Sequence, residues 1–225
     1  MKDRFQIPLD NQRPVFGVFL AAHAIPDAVD IMHTGVGCKP KAQRQISSHD
    51  RMREAQNKMV WSDVDESLLI TGSADRLRDM TVQTFRRREG VGLIVITTST
   101  SMEMTSLDVE AVLPEIRQRV SCPVIYIPTP GYAGDLHVGY QQAMLRVLSL
   151  CDWSGAQPRR STVNVLGYLF DRYEHDHAMS NHEVRRLLAG LGLETITTFL
   201  SGTPMKGLMM APQAGARPSP TDRKS

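Results

Sequence analysis

His33-Thr34-Gly35-Val36-Gly37-Cys38 places a single cysteine on a glycine-rich turn. Gly35 and Gly37 add little bulk, so a thiolate at Cys38 can reach a metal ion or a facing subunit without obstruction from its own backbone. The same residues also suit a tight turn that carries a small apolar side chain. A second polar stretch follows an apolar run further on: Thr97, Thr98, Ser99, Thr100, Ser101 and Glu103. Its hydroxyls and carboxylate can cradle a polar ligand, or they can satisfy backbone groups where a strand ends. His175 and His177 are spaced to share a metal ion, yet they sit among charged residues as a solvated loop would. Met102 and Met104 read as packing residues or as side chains that face a cofactor.

The elements around these residues must hold them in place. In 24–32, Ile25, Ala28, Val29 and Met32 recur at i, i+3, i+4 and i+7, which predicts a buried helix delivering the Cys38 turn, with Pro26 in its first turn. From 67 to 150 short apolar runs alternate with amphipathic stretches. The runs at 67–72, 92–97 and 123–128 end at Gly, Thr or Pro, and the stretches at 74–88, 108–120 and 137–150 carry apolar residues at helical spacing. Continuous apolar runs separated by helices predict parallel strands covered on both faces, an open α/β sheet of Rossmann type. Ligands of such sheets bind beyond the carboxyl ends of the strands, where the loops Gly72-Ser73, Thr97 to Ser106 and Thr129 to Gly134 are expected.

The predicted organisation is a first α/β domain over 14–151, a linker over 152–161, a partial second α/β domain over 162–210 and a disordered tail over 211–225. In the second part 163–167 and 193–199 read as strands, and Ser180-Asn181-His182-Glu183 reads as a capping box opening a helix. The tail combines Pro, Gly and charge without periodicity.

Composition narrows the function classes. The 225 residues carry a net charge of +2 with acidic and basic residues interspersed, so a dedicated nucleic-acid binder is not expected. No apolar run approaches the ~18 residues of a membrane span, and no secretory core follows Met1-Lys2-Asp3-Arg4, so a cytoplasmic protein is expected. Three widely spaced cysteines, Cys38, Cys122 and Cys151, argue against a disulfide framework and for a reducing compartment. There is no G-x-G-x-x-G after a strand and no P-loop, so neither a dinucleotide site nor an ATPase site is expected.

The order of these features resembles the component 1 superfamily of nitrogenase, which includes the molybdenum–iron protein subunits, their cofactor-assembly scaffold and the light-independent protochlorophyllide reductase. The resemblance runs over about 14–205, through the turn His33 to Cys38, the acidic Asp63-Val64-Asp65-Glu66 before Gly72, Arg76-Leu77, Asp108-Val109-Glu110, Thr129-Pro130-Gly131-Tyr132 and Leu187-Leu188-Ala189-Gly190-Leu191-Gly192-Leu193.

The resemblance implies an oxidoreductase subunit that takes electrons from an ATP-dependent iron–sulfur reductase and reduces a bound substrate. It implies an iron–sulfur cluster as cofactor, with Cys38 as metal ligand and Gly35, Gly37, Thr98, Ser99, Thr100 and Glu103 around it. Family members place cluster cysteines at three points, of which only Cys38 is matched here; the third falls near Thr100. A single thiolate then implies a cluster shared between subunits of a homo- or hetero-oligomer. The alternative is a non-catalytic scaffold or a truncated inactive relative. Cys38 is expected on the surface, with Cys122 and Cys151 mostly buried.

Overall fold

A computed structural model describes residues 13–40, 58–105, 107–166 and 176–215. Contacts divide the chain into two compact units, one drawn from residues up to His23 and from Asp27 to Val147, the other from Ala24–Pro26 and from Leu148 onward.

The first unit is built on a parallel four-stranded sheet in the order β2-β1-β3-β4. Its strands are β1 (Ala28–His33), β2 (Met59–Trp61), β3 (Leu93–Thr98) and β4 (Val124–Pro128). Register is continuous across the centre, with Ala28 opposite Leu93 and His33 opposite Thr98, then Ile94 opposite Val124. Every residue of β1 and β3 is buried, as strands covered on both faces require.

Alternation along the strands sorts the two faces. Val29, Ile31, Ile94, Ile96 and Val124 point to one face, where α3 (Ala74–Arg87) and α5 (Val109–Arg117) supply Leu77, Met80, Val112, Leu113 and Ile116 to a common core. On the other face lies α1 (Pro14–His23), whose Phe19 meets Trp61 edge to face at 6.5 Å between ring centroids. Against α1 packs α6 (Leu136–Leu148). The two helices touch through backbone: a Cβ on Gly17 would lie 1.9 Å from the Leu136 carbonyl oxygen, and one on Gly139 1.8 Å from that of Pro14.

Two expected elements differ. Residues 28–33 form a strand rather than the end of a helix. When every position is buried, apolar residues satisfy helical spacing by default, and the β-branched pair Val29 and Ile31 decides for a strand. Residues 67–72, expected as a strand, belong to helix α2 (Glu66–Thr71), which buries none of its residues. The Asp65 side chain accepts the Leu68 N–H at 2.9 Å, capping a first turn that the apolar run Leu68-Leu69-Ile70 concealed. The sheet position goes to β2. The expected strands at 92–97 and 123–127 are present as parallel neighbours, joined through α5.

The second unit pairs β6 (Thr162–Val165) with β7 (Glu194–Thr198) in parallel, linked by α7 (His177–Gly190), and pairs β5 (Arg159–Arg160) with β8 (Ala214–Gly215). Its α7 begins at His177, three residues before the expected capping box, with Asp176 in the cap position. From Ala211, where a disordered tail was expected, a short 3-10 turn (Ala211–Gln213) leads into β8. Thr162 Oγ1 holds it, accepting the Gly215 N–H at 3.0 Å. Residues 216–225 lie outside the described residues.

Candidate functional site

The carboxyl ends of β1 and β3 are adjacent, and each leads into one of the stretches singled out by sequence. After β1 the chain is clamped to β2: the Thr34 N–H donates to Ser62 Oγ at 2.8 Å, and Ser62 Oγ donates to the Thr34 carbonyl at 3.1 Å. The Val64 N–H then reaches the same carbonyl at 2.9 Å. Gly35 bridges to Val64, and neither Gly35 nor Gly37 adopts positive φ. A Cβ on Gly37 would meet nothing within 4 Å, so that glycine keeps the turn open rather than enabling its conformation. Cys38 follows, half-buried, its N–H donating to the Gly35 carbonyl at 3.1 Å. Beside it Lys39 Nζ pairs with Asp63 at 2.9 Å.

His33, the last residue of β1, is fully buried and lies 2.9 Å through Nε2 from Ser73 Oγ. Burial pulls its pKa down to about 4, so the ring is neutral near pH 7. Three residues earlier and on the opposite face, the Asp30 carboxyl is equally buried. Desolvation pushes it up to about 8 against the opposing hydrogen bond from Thr97 Oγ1 at 3.4 Å, so near pH 7 it is largely protonated. Its other oxygen, Oδ2, has no partner among the described residues.

The stretch after β3 is arranged otherwise. Thr98 Oγ1 donates to Glu103 Oε1 and lies 3.1 Å from the Tyr126 hydroxyl, which donates to the same carboxylate oxygen at 3.0 Å. Burial pushes the Tyr126 phenol well above its usual range. Ser99 Oγ lies 2.9 Å from Ser101 Oγ, and Thr100 Oγ1 accepts from the Gly131 N–H at 2.7 Å and from Arg13 at 3.4 Å. Residues 100–103 form the short helix α4 (Thr100–Glu103), which buries Met102 and leaves Met104 exposed just beyond. Thr98, Glu103 and the unforeseen Tyr126 are therefore brought together, while Thr100 turns to Arg13 and Gly131. The stretch is tied to the Cys38 arm through the Ser99 N–H, which donates to the His33 carbonyl at 3.2 Å.

Tyr126 and Asp30 were not among the residues expected to matter. A lone Asp inside an apolar run, and a Tyr on the same strand face as the core, were the available signals.

Cys38 and Cys122 do not converge. Cys122 precedes β4 at the amino-terminal end of the sheet, so a strand length of roughly 17 Å separates its end from that of Cys38. It is half-buried rather than mostly buried, and burial pushes its thiol up to about 11. Cys151 is buried in the second unit, with its sulfur 3.6 Å from the Leu208 carbonyl. No group of three His, Cys, Asp or Glu side chains suited to a metal ion occurs among the described residues. The described donors thus do not fit an iron–sulfur cluster held by one chain alone. His177 opens α7, and His175 lies outside the described residues. No helix among the described residues is long and apolar enough to cross a membrane.

A family model described as nitrogenase component 1 type oxidoreductase matches residues 14–220. Two solved structures, titled nitrogenase Cp1 at pH 6.5 and nitrogenase Cp1 at pH 5, superpose with TM-scores of 0.69 and 0.66 at 15% and 18% identity. They cover 90% and 88% of this chain but only 43% and 41% of their own lengths, so the chain spans less than half of the solved chains it matches. At this identity the likeness is one of fold. Among curated proteins a sequence search returned no match.

Proposed function

We propose, from the premise that this chain belongs to the nitrogenase component 1 type oxidoreductase family, that it is an oxidoreductase subunit which works only when assembled with a second chain. Each chain contributes Cys38 as a single thiolate to a shared iron–sulfur site. An ATP-dependent iron–sulfur reductase supplies the electrons, and a bound substrate accepts them. The observation that carries this reading is the separation of the thiols: Cys38 stands half-exposed on an open turn at the carboxyl edge of the sheet, while Cys122 lies at the far edge. A cluster needs about four ligands, so the remaining ones come from outside this chain.

The residues around Cys38 have supporting roles. The Thr34–Ser62 clamp fixes where the turn leaves β1, and the Lys39–Asp63 pair fixes the first helical residues beyond it. Gly35 and Gly37 keep the approach to the thiol clear. Thr98, Ser99, Thr100 and Glu103 form the neighbouring wall, tied to β1 through Ser99. An odd number of widely spaced cysteines suits a cytoplasmic setting, where thiols stay reduced.

Anaerobic purification followed by iron and acid-labile sulfide determination tests this reading. Wild-type protein is expected to carry both, and Cys38→Ala to lose both with an unchanged circular dichroism spectrum. Iron retained by the variant contradicts it. A metal-free wild type leaves the non-catalytic scaffold as the standing alternative.

A further inference from the structure

On the face of the sheet that carries α3 and α5, an open groove of about 390 Å³ runs between α2, the α2–α3 junction, α4 and the start of α5. Its size falls in the range of small-molecule sites. Its walls are largely apolar, with Leu68, Leu69, Met102, Leu107 and Val112, and Ser73 is set among them.

Ser73 occupies the cap position of α3 but makes no side-chain cap bond; its hydroxyl is spent on His33 Nε2 at 2.9 Å. It is 3% exposed. His33 Nδ1 is buried without a partner among the described residues. One tautomer would leave an N–H donor stranded there, whereas the other leaves only a bare acceptor nitrogen. Buried orphan donors are the rarer and costlier case, so Nε2 carries the proton and donates it to Ser73 Oγ. The Ser73 hydroxyl proton is then left without an acceptor among the described residues, on a residue that lines the groove.

The rim sets the charge of an occupant. Asp108 and Glu115 line it, and among the described residues no Lys, Arg or His does. The Asp108 carboxylate caps α5 and that of Glu115 is paired with Arg78, so both are held in place. An anionic ligand is disfavoured.

We infer that this groove is a binding site for a neutral, apolar small molecule bearing a carbonyl oxygen, which accepts the hydrogen bond that His33 leaves free on Ser73. The site is independent of Cys38 and of any metal.

The test is fluorescence titration with 6-propionyl-2-dimethylaminonaphthalene, a neutral apolar ketone, against 2-dimethylaminonaphthalene, which lacks the ketone. Wild-type protein is expected to bind the ketone at one saturable site with blue-shifted emission, roughly tenfold more tightly than the ketone-free analogue. Ser73→Ala should abolish that preference while leaving the analogue's affinity unchanged. Ala111→Trp, a change at an exposed wall position that fills the groove without touching the core, should remove binding of both compounds. Cys38→Ala should bind both as wild type does, which separates this site from the shared thiolate site. Absence of saturable ketone binding overturns the inference, as does a preference that survives Ser73→Ala or binding that survives Ala111→Trp.

Discussion

Two neighbouring strands of one sheet end in contrasting ways. β3 runs into a stretch whose hydroxyls and carboxylate spend their hydrogen-bonding capacity on one another and on nearby backbone: Thr98, Glu103 and Tyr126 close a ring of three, and Thr100 is tied to Gly131. β1 runs into an open glycine turn with a half-exposed thiol, and along its length it holds two buried ionisable side chains, Asp30 and His33, each with one unpartnered polar atom. The β3 arm is a finished structural network. The β1 arm retains donors and acceptors that the protein itself does not use, and chemistry belongs there.

The largest effect that sharpens this contrast is a dependence on pH. The folded state keeps the Asp30 proton up to about pH 8, whereas the unfolded chain loses it near pH 4, so Asp30 lowers stability as pH rises through that window. His33 acts in the opposite sense: its folded pKa of about 4 lies below the ordinary 6.5, and stability present above pH 6.5 is lost as pH falls to 4. The two nearly cancel between pH 4 and 6.5, leaving Asp30 alone from 6.5 to 8. Urea unfolding should show about 2 kcal/mol lost over that upper interval, at ~1.4 kcal/mol per pKa unit. Asp30→Asn should flatten it. An equally steep slope in the variant would place the titrating group elsewhere.

Breaking the closed arm should cost stability and spare metal binding. Thr98→Val strands the Glu103 and Tyr126 groups it serves, and a loss of about 1–3 kcal/mol by urea unfolding is expected, with iron content per chain unchanged. Tyr126→Phe removes one hydroxyl from the same ring and should cost about 1 kcal/mol. If either change removed iron, the two arms would not be separable.

The smallest stability effect is expected for Cys38→Ala. The thiol is half-exposed and no hydrogen bond of its sulfur is described, so a change within about 0.5 kcal/mol should accompany the loss of metal. Native alkylation should modify Cys38 first, Cys122 more slowly and the buried Cys151 last. Fast labelling of Cys151 would contradict that order.

Much of this was legible in the residues. The alternation around Leu93–Thr98 and Val124–Pro128 identified two parallel strands and hence the fold class, because strands buried on both faces have to be continuously apolar. The same uniform burial hid β1, since apolar residues at 28, 29, 31 and 32 fit strand and helix spacing alike. Leu68-Leu69-Ile70 misled in reverse: an exposed helix that buries none of its apolar residues mimics a strand unless the Asp65 cap is weighed first. β2, with three residues, is too short to show a period. At the site, Cys38, Thr98 and Glu103 stood out by type, whereas Ser73 and Tyr126 matter through partners 40 and 23 residues away in sequence, His33 and Glu103, which no local pattern encodes.

The central claim is that one chain supplies one thiolate to a site completed by another. Native mass spectrometry of the protein prepared without oxygen measures chain count and bound iron and sulfide in the same particle. The account predicts that iron and sulfide appear only in particles of two or more chains, and that Cys38→Ala particles carry neither. Iron and sulfide on a single chain, or on the Cys38→Ala protein, would contradict it.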